Sequence, residues 1–159
     1  MYALDASVAI FAFRREEEVS TAQQATWKKA QAWLETLPAT TAIVLPLPAV
    51  GEFLYGLADQ SRADDALAVM VARFRVMPFD TEAARMYAEV ARRIVGPPSR
   101  HPPDWRKRKV DMQIIAIAVR VQAGALITED EDQRKWASHW IAAMGIPDPP
   151  PRPLKLPGL

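Results

Sequence analysis

The sequence predicts an α/β domain of three layers, in which helices cover both faces of a short, mainly parallel central sheet. Short apolar runs alternate with amphipathic segments of ten or more residues, which is the pattern of strands joined by crossover helices. The chain has 159 residues, of which 50% are hydrophobic and 25% are charged, and this balance is typical of one globular domain. We expect that domain to occupy residues 1–145 and a Pro-rich tail to follow over residues 146–159.

The predicted elements follow one another along the chain. Strands are expected where short apolar runs are bounded by polar or turn-forming residues, at 2–4, 42–45, 76–77, 125–127 and 141–144. Helices are expected where apolar residues recur every three or four positions, at 8–13, 21–37, 48–57, 62–74, 81–95 and 110–122.

Capping residues support these helix boundaries. Asp5 or Ser7 can cap the first helix, and Thr21 and Gln24 have the spacing of a capping box. Asp80 precedes a strongly periodic helix, and we assign it a structural role as that helix's cap. Trp27 and Trp33 fall within one helical pattern, which favours packing in the core or in a dimer.

Composition excludes several kinds of site. The chain contains no cysteine, so disulfides, thiol nucleophiles and iron–sulfur clusters are excluded. Its only histidines are His101 and His139, both predicted at the surface, so a three-histidine metal site is excluded as well. The net charge of +1 is uninformative about nucleic acid. Neither a signal peptide nor a membrane-spanning run is visible, and we expect a cytoplasmic protein without a membrane partner.

Acidic residues stand where a parallel sheet places its ligands. Asp5 follows the first strand, Glu52 comes soon after the second, and residues 128–132 form an acidic turn after the strand at 125–127. Asp111 lies in the first turn of a predicted helix. If the first strand is central and the 125–127 strand lies beside it, all four acids can converge. Two carboxylates about 4 Å apart repel by roughly 4 kcal/mol. A divalent cation, Mg²⁺ or Mn²⁺, would relieve that repulsion and activate water for attack on a phosphodiester.

Four motifs in this order resemble a known family. They are Leu4-Asp5-Ala6-Ser7, Pro48-Ala49-Val50-Gly51-Glu52, Asp111-Met112-Gln113-Ile114-Ile115-Ala116 and Thr128-Glu129-Asp130-Glu131-Asp132. The set is similar to that of the PIN domain, and in particular to VapC-type toxins of bacterial toxin–antitoxin pairs. The resemblance covers residues 1 to about 145 and implies a Mg²⁺- or Mn²⁺-dependent endoribonuclease with a PIN-like three-layer α/β/α fold.

The resemblance also implies roles for individual residues. Asp5, Asp111 and Asp130 would bind the metal, and Glu52 would complete the acidic quartet by orienting water or binding a second ion. Ser7 and Thr128 would be polar neighbours of the metal, and Asp132 would be a further supporting polar residue. The register from Thr128 favours Asp130 over Asp132 as the ligand. Gln133 stands where the family often has an aromatic residue. The remaining acids of the turn, Glu129 and Glu131, are expected to be solvated.

Partners follow from the same resemblance. A cognate antitoxin is expected to hold the protein inactive, and the chain is expected to form a homodimer through exposed apolar surfaces at residues 27–37 and 53–57.

Basic residues precede Asp111, namely Arg100, Arg106, Lys107, Arg108 and Lys109, with Trp105 among them. They predict binding of the RNA backbone and stacking of a base on Trp105. The alternative is a solvated charged face.

Each site residue also has a purely structural alternative. Asp5 can serve only as a helix cap, and Glu52 and Asp111 are favoured by the helix dipole wherever they occupy a first turn. At the level of function, a non-catalytic RNA- or protein-binding module on the same fold is the main alternative. A magnesium-dependent phosphatase is disfavoured, because Asp5-Ala6-Ser7 lacks the second Asp used by the haloacid-dehalogenase family.

Overall fold

The computed structural model describes residues 1–57, 59–100 and 105–150. The strands are β1 Tyr2–Leu4, β2 Ile43–Pro46, β3 Arg75–Met77, β4 Ala125–Ile127 and β5 Ala142–Met144. The α-helices are α1 Ala6–Phe13, α2 Gln24–Thr36, α3 Leu47–Tyr55, α4 Gln60–Arg73, α5 Thr81–Val95, α6 Lys109–Arg120 and α7 Glu131–Ala137. Some predictions lie wholly or partly outside this description: His101, the side chains of Arg100 and Lys107, and residues 151–159 of the tail.

The strands form one sheet in the order β3-β2-β1-β4-β5, and every pairing within it is parallel. The central strand is β1, and β4 lies beside it with Leu4 opposite Ile127. Parallel pairing places the carboxyl ends of all five strands at one edge of the sheet. The predicted α/β fold with a parallel sheet is therefore confirmed, and so is the neighbouring position of the two strands that precede Asp5 and the acidic turn.

Alternating side chains of each strand supply two apolar layers. Leu4, Leu45 and Ile127 pack on one face with residues of α1, α2, α3 and α4. Ala3 and Leu126 belong to the opposite face, where α5, α6 and α7 cover the sheet. Because both faces are covered, the strands are short apolar runs instead of alternating polar and apolar residues. The three-layer architecture follows directly from this alternation.

Two details of the sequence prediction are wrong in the region of α2. Thr21 and Gln24 form no capping box, because Thr21–Gln23 is a separate 3₁₀ turn and the α-helix begins only at Gln24. The apolar face predicted to be exposed over residues 27–37 is instead packed inside the chain. Trp33 is buried against the ring of Tyr2, and the indole N–H of Trp27 donates to the carbonyl of Arg14. This helix therefore contributes to the core and not to a dimer surface.

Asp80 has the structural role that its position predicts. Its carboxylate accepts the backbone N–H of Ala83 at the start of α5, with 2.9 Å between donor and acceptor. The same carboxylate forms an ion pair with Arg120 at the end of α6, and these two helices pack against each other.

Within residues 1–57, 59–100 and 105–150, no helix has both the length and the apolarity needed to traverse a bilayer.

Candidate metal-binding active site

The four acids predicted for the site lie around the carboxyl edge of the central sheet. Asp5 directly follows β1, Glu52 lies on α3, Asp111 lies in the first turn of α6, and Asp130 lies in the turn after β4. The charge of Asp5 raises the pKa of both Glu52 and Asp111, and the charges of Asp130 and Glu52 also raise the pKa of Asp111. The fold therefore brings all four predicted acids into one electrostatically coupled group.

Asp5 is the buried member of this group, with 6% of its surface exposed. Its Oδ2 accepts the hydroxyl of Ser7 at 2.7 Å, the hydroxyl of Thr128 at 3.0 Å and the backbone N–H of Ser7 at 3.2 Å. Its Oδ1 has a single and longer contact, 3.4 Å from the amide nitrogen of Gln133. The capping alternative is thus also true, since Asp5 caps α1. Capping occupies only Oδ2, and Oδ1 keeps capacity for a further ligand.

The hydroxyls of Ser7 and Thr128 connect Asp5 to the acidic turn. Ser7 Oγ accepts the backbone N–H of Glu129 at 3.2 Å, and Thr128 Oγ1 accepts that of Asp130 at 3.1 Å. Each hydroxyl therefore donates to the carboxylate of Asp5 and accepts from the turn. This arrangement fixes the start of α1 and the turn after β4 relative to each other.

Asp111 shows how much negative charge has been gathered here. Burial, with the charges of Asp5, Asp130 and Glu52 added, raises its pKa from 3.8 to about 7. The nearby Arg108 acts in the opposite direction and lowers this pKa, but the other effects exceed it. A position in the first turn of a helix would not by itself raise the pKa of an aspartate, because a helix N-terminus favours the ionised form. The raised pKa of Asp111 therefore reflects its burial and the neighbouring carboxylates, and the helix dipole does not account for it.

Glu52 stands at the more open side of the group. It lies on α3 one turn after Pro48, and the residue is exposed. Partial burial of its carboxyl, together with the charge of Asp5, raises its pKa above 4.5. Next to it runs an apolar groove of about 500 Å³, lined by Leu47, Pro48, Gly51, Glu52, Tyr55, Phe79, Val110 and Gln113.

The acids of the 128–132 turn have different surroundings. Asp130 caps α7, because its Oδ1 accepts the backbone N–H of Gln133 at 2.8 Å, and its charge reaches Asp111. Asp132 is exposed in the first turn of α7. Glu129 is exposed, as expected, and its Oε1 also accepts the backbone N–H of Ile146 at 2.7 Å, which holds the segment after β5. These surroundings favour Asp130 over Asp132 as a ligand.

The predicted RNA-binding segment lies directly before Asp111. Trp105–Arg108 is a 3₁₀ turn that leads into α6. The Nζ of Lys109 lies 4.5 Å from the ring centroid of Trp105, and the guanidinium carbon of Arg108 lies 5.1 Å from that of Trp136. Arg106 is exposed. Sequence reasoning missed Trp136, because nothing in the spacing of α7 shows that its ring meets a cation from another element.

Sequence reasoning also gave no role to Gln133, although it is completely buried beside Asp5. Its Oε1 has no hydrogen-bond partner among the residues that the structure describes. A buried amide with an unbonded end costs about 1–3 kcal/mol, so this residue calls for an explanation. A glutamine within the first turn of a short helix carries no sequence signal that would set it apart.

The donor set of the site fits a hard divalent cation. Its ligand atoms are carboxylate oxygens, which Mg²⁺ and Mn²⁺ prefer, and the raised pKa values show negative charge that a cation would neutralise. Among residues 1–57, 59–100 and 105–150, no three acidic or histidine side chains are grouped closely enough to hold an ion as they stand. The fit is therefore one of chemistry and electrostatics, and binding would require side chains to move together.

Comparison with known proteins identifies relatives of this fold. The PIN domain family model matches residues 2–138. No curated protein sequence matches the chain significantly.

Several solved structures share the architecture. VapBC-1 from nontypeable Haemophilus influenzae superposes with a TM-score of 0.61 at 15% identity, covering 91% of this chain and 96% of that one. VapBC2 from Rickettsia felis, bound to a DNA fragment from its promoter, gives 0.60 at 16% identity, covering 90% and 97%. Mycobacterium tuberculosis VapC20, described as a toxin that cleaves the sarcin–ricin loop, gives 0.58 at 14% identity, covering 84% and 92%. At these identities the likeness shows a common fold.

The raised pKa of Asp111 predicts that stability depends on pH. Because its folded pKa of about 7 exceeds the usual 3.8, the folded chain binds the proton more tightly, and stability should fall as the pH rises between these values. Asp111→Asn removes this loss. In EDTA, urea unfolding measures the free energy of unfolding of both proteins. The difference between variant and wild type should rise in favour of the variant by about 1 kcal/mol from pH 5 to pH 8, a value reduced by the partial solvation of the site.

The exposed Asp132 provides the matched control for this measurement. Asp132→Asn makes the same chemical change within the 128–132 turn, at an acid whose charge is not among those that shift the pKa of Asp111. Its stability difference from wild type should be the same at both pH values. If the Asp111→Asn difference were equally constant, the electrostatic coupling of Asp111 to the other three acids would be disproved.

Proposed function

The chain belongs to the PIN domain family, and on that premise we propose that it is an endoribonuclease dependent on Mg²⁺ or Mn²⁺, acting as the toxin of a toxin–antitoxin pair. The observation that carries the proposal is the coupled group of Asp5, Glu52, Asp111 and Asp130 at the carboxyl edge of the sheet. Four acids supplied by four separate elements repel one another, and the helix caps formed by Asp5 and Asp130 do not account for Glu52 and Asp111. A cation converts that repulsion into a binding site.

The residues have distinct parts in this proposal. Asp5, Asp111 and Asp130 would hold the cation, which when bound polarises a phosphodiester and acidifies water. Asp5 is already fixed by Ser7 and Thr128, so its free oxygen has a defined direction. Glu52 stays at the open side, and its raised pKa suits a group that orients a water molecule and accepts a proton from it.

RNA cleavage provides the direct test of this function. Wild-type protein should cleave RNA in Mg²⁺, EDTA should stop the cleavage, and Asp5→Asn should slow it about a hundredfold or more, since a bound cation contributes several kcal/mol to the transition state. Cleavage of total RNA and of a structured hairpin is followed on denaturing gels. Glu131→Gln, at an acid of the same turn whose side chain is 92% exposed, should cleave like wild type.

Two results of that assay would contradict the proposal in different ways. Equal cleavage by wild type and Asp5→Asn would assign the activity to another site or to a contaminant. Intact RNA in Mg²⁺, with Mn²⁺ binding demonstrated by calorimetry, would favour the non-catalytic binding module instead.

We also propose that the basic segment before Asp111 binds the RNA backbone. Arg106 is exposed, Lys109 lies over the ring of Trp105, and Arg108 lies over the ring of Trp136. Cations held against aromatic rings keep a fixed position and leave ring surface for a base to stack on. The segment precedes Asp111 on the same helix start, so bound phosphates would lie close to the acids.

A salt titration separates backbone binding from general attraction. Arg106→Gln should weaken RNA binding in EDTA similarly for different sequences, and should reduce the slope of log affinity against log salt by about 1. Fluorescence anisotropy at several KCl concentrations measures both quantities. Arg75→Gln removes an equally exposed arginine where β3 begins, at the other end of the sheet, and should leave the slope unchanged. Equal effects of both substitutions would argue against a localised RNA-binding segment.

Protein partners belong to the same proposal. The neighbouring structures include VapBC complexes, which supports a cognate antitoxin for this chain. Inhibition of RNA cleavage by the product of an adjacent gene would test it.

For the homodimer, the surface that remains from the sequence prediction is on α3. Phe53 is buried in the core, but Tyr55 is 93% exposed and Leu47 is 45% exposed, and both line the apolar groove.

The dimer surface is tested by placing a charge on it. Wild type should sediment as a dimer and Tyr55→Glu as a monomer in sedimentation velocity, because a glutamate at the groove would have to be desolvated on association. Val71→Glu changes another exposed apolar residue, 60% exposed on α4 and outside the groove, and should remain dimeric. A wild-type protein that sediments as a monomer at all concentrations would contradict the dimer proposal.

A further inference from the structure

Gln133 is a polar side chain at a position where the fold itself favours an apolar one. It is completely buried and shares with Ala137 the face of α7 that turns into the protein, where α7 packs against α6. Removing an amide from water destabilises a protein unless both of its ends are hydrogen-bonded. A methionine or leucine of similar volume would fill the same space without that cost. The packing of α7 therefore does not explain the amide.

The amide nitrogen of Gln133 is turned toward Asp5. Its Nε2 lies 3.4 Å from Oδ1 of Asp5, the oxygen that Ser7 and Thr128 leave open. The reversed amide would place an acceptor against a carboxylate oxygen, which is repulsive, so this contact determines the orientation of the side chain. Gln133 thus lies beside the one oxygen of Asp5 that has capacity for another ligand.

That orientation leaves the other end of the amide as a buried acceptor. Oε1 of Gln133 has no partner among the described residues. An amide oxygen can only accept hydrogen bonds, so the partner that fits it must be a donor. Mg²⁺ and Mn²⁺ in sites with few protein ligands retain several water molecules, and water bound to a cation is a strong donor. An unused acceptor next to a cluster of carboxylates matches a hydrated cation.

We propose that Gln133 is a positioning residue of the metal centre: its amide N–H directs Oδ1 of Asp5, and its Oε1 accepts a hydrogen bond from a water molecule of the cation's hydration shell. This inference rests on the proposed function, because it requires a cation at Asp5. An aromatic residue, which the family often has at this position, has no amide oxygen to accept from that water. The second role therefore distinguishes this chain from relatives that have the aromatic residue.

The test is a calorimetric titration of Mn²⁺ into the full chain. Gln133→Met keeps the length of the side chain and removes both hydrogen-bonding ends. It should bind Mn²⁺ about 10- to 100-fold more weakly than wild type, as found for residues that hold metal ligands in place. Its melting temperature in EDTA should stay close to that of wild type, because removal of the buried unbonded acceptor offsets the loss of the long 3.4 Å contact to Asp5. Gln24→Met, the same change at a half-buried glutamine at the start of α2 and far along the chain from the acids, should bind Mn²⁺ like wild type.

The outcomes separate this inference from the proposed function. If wild type itself binds no Mn²⁺, the metal centre is wrong. If wild type binds and Gln133→Met binds within twofold of it, only the role of Gln133 is overturned. Gln133→Leu is measured in parallel, so that one poorly packed variant does not decide the result. Loss of folding in EDTA by both variants would assign Gln133 to the fold and would also overturn the inference.

Discussion

The structure depends on how one buried carboxylate is hydrogen-bonded. Asp5 lies at the end of the central strand, almost inaccessible to water, and a charge in such a place is tolerated only with donors or a cation around it. The donors come from α1 through Ser7, from the turn after β4 through Thr128, and from α7 through Gln133. Parallel pairing of β1 with β4 is what brings these elements together. The contacts that stabilise the fold at this edge are thus the contacts that shape the site.

The surrounding acids show the consequence of this arrangement. Oδ2 of Asp5 is satisfied by three donors, whereas Asp111 has its pKa raised to about 7 by burial and by three neighbouring carboxylates. Burial and neighbouring charge therefore raise the proton affinity of Asp111, which is how an environment adjusts a carboxyl group within one site. Arg108 reduces the excess negative charge only in part, and its stacking on Trp136 keeps it at the rim. The remaining charge is what makes the edge of the sheet suitable for a cation.

Sequence reasoning succeeded where a local pattern has a single physical solution. The apolar runs and capping residues located the strands and the cap Asp80, and strand ends located Asp5 and Asp130. It failed at α2, since an apolar helical stripe looks the same whether it packs in the core or lies on the surface, and Trp33 packs in the core. It could not give a function to Gln133 or Trp136, because their partners, Asp5 and Arg108, are distant in sequence.

The sequence alone determined the alternation of strands and helices, the absence of thiol chemistry, and the set of acids from which a site could be built. These properties follow from residue type and spacing, which are local. Only the tertiary structure decided that Asp5 uses one oxygen for the fold and keeps the other available, that Asp130 and not Asp132 reaches Asp111, and that Glu129 holds the chain after β5. Those outcomes depend on distances of a few ångströms between elements far apart in the chain. Such distances are set by the packing of helices on a twisted sheet, and no local pattern encodes them.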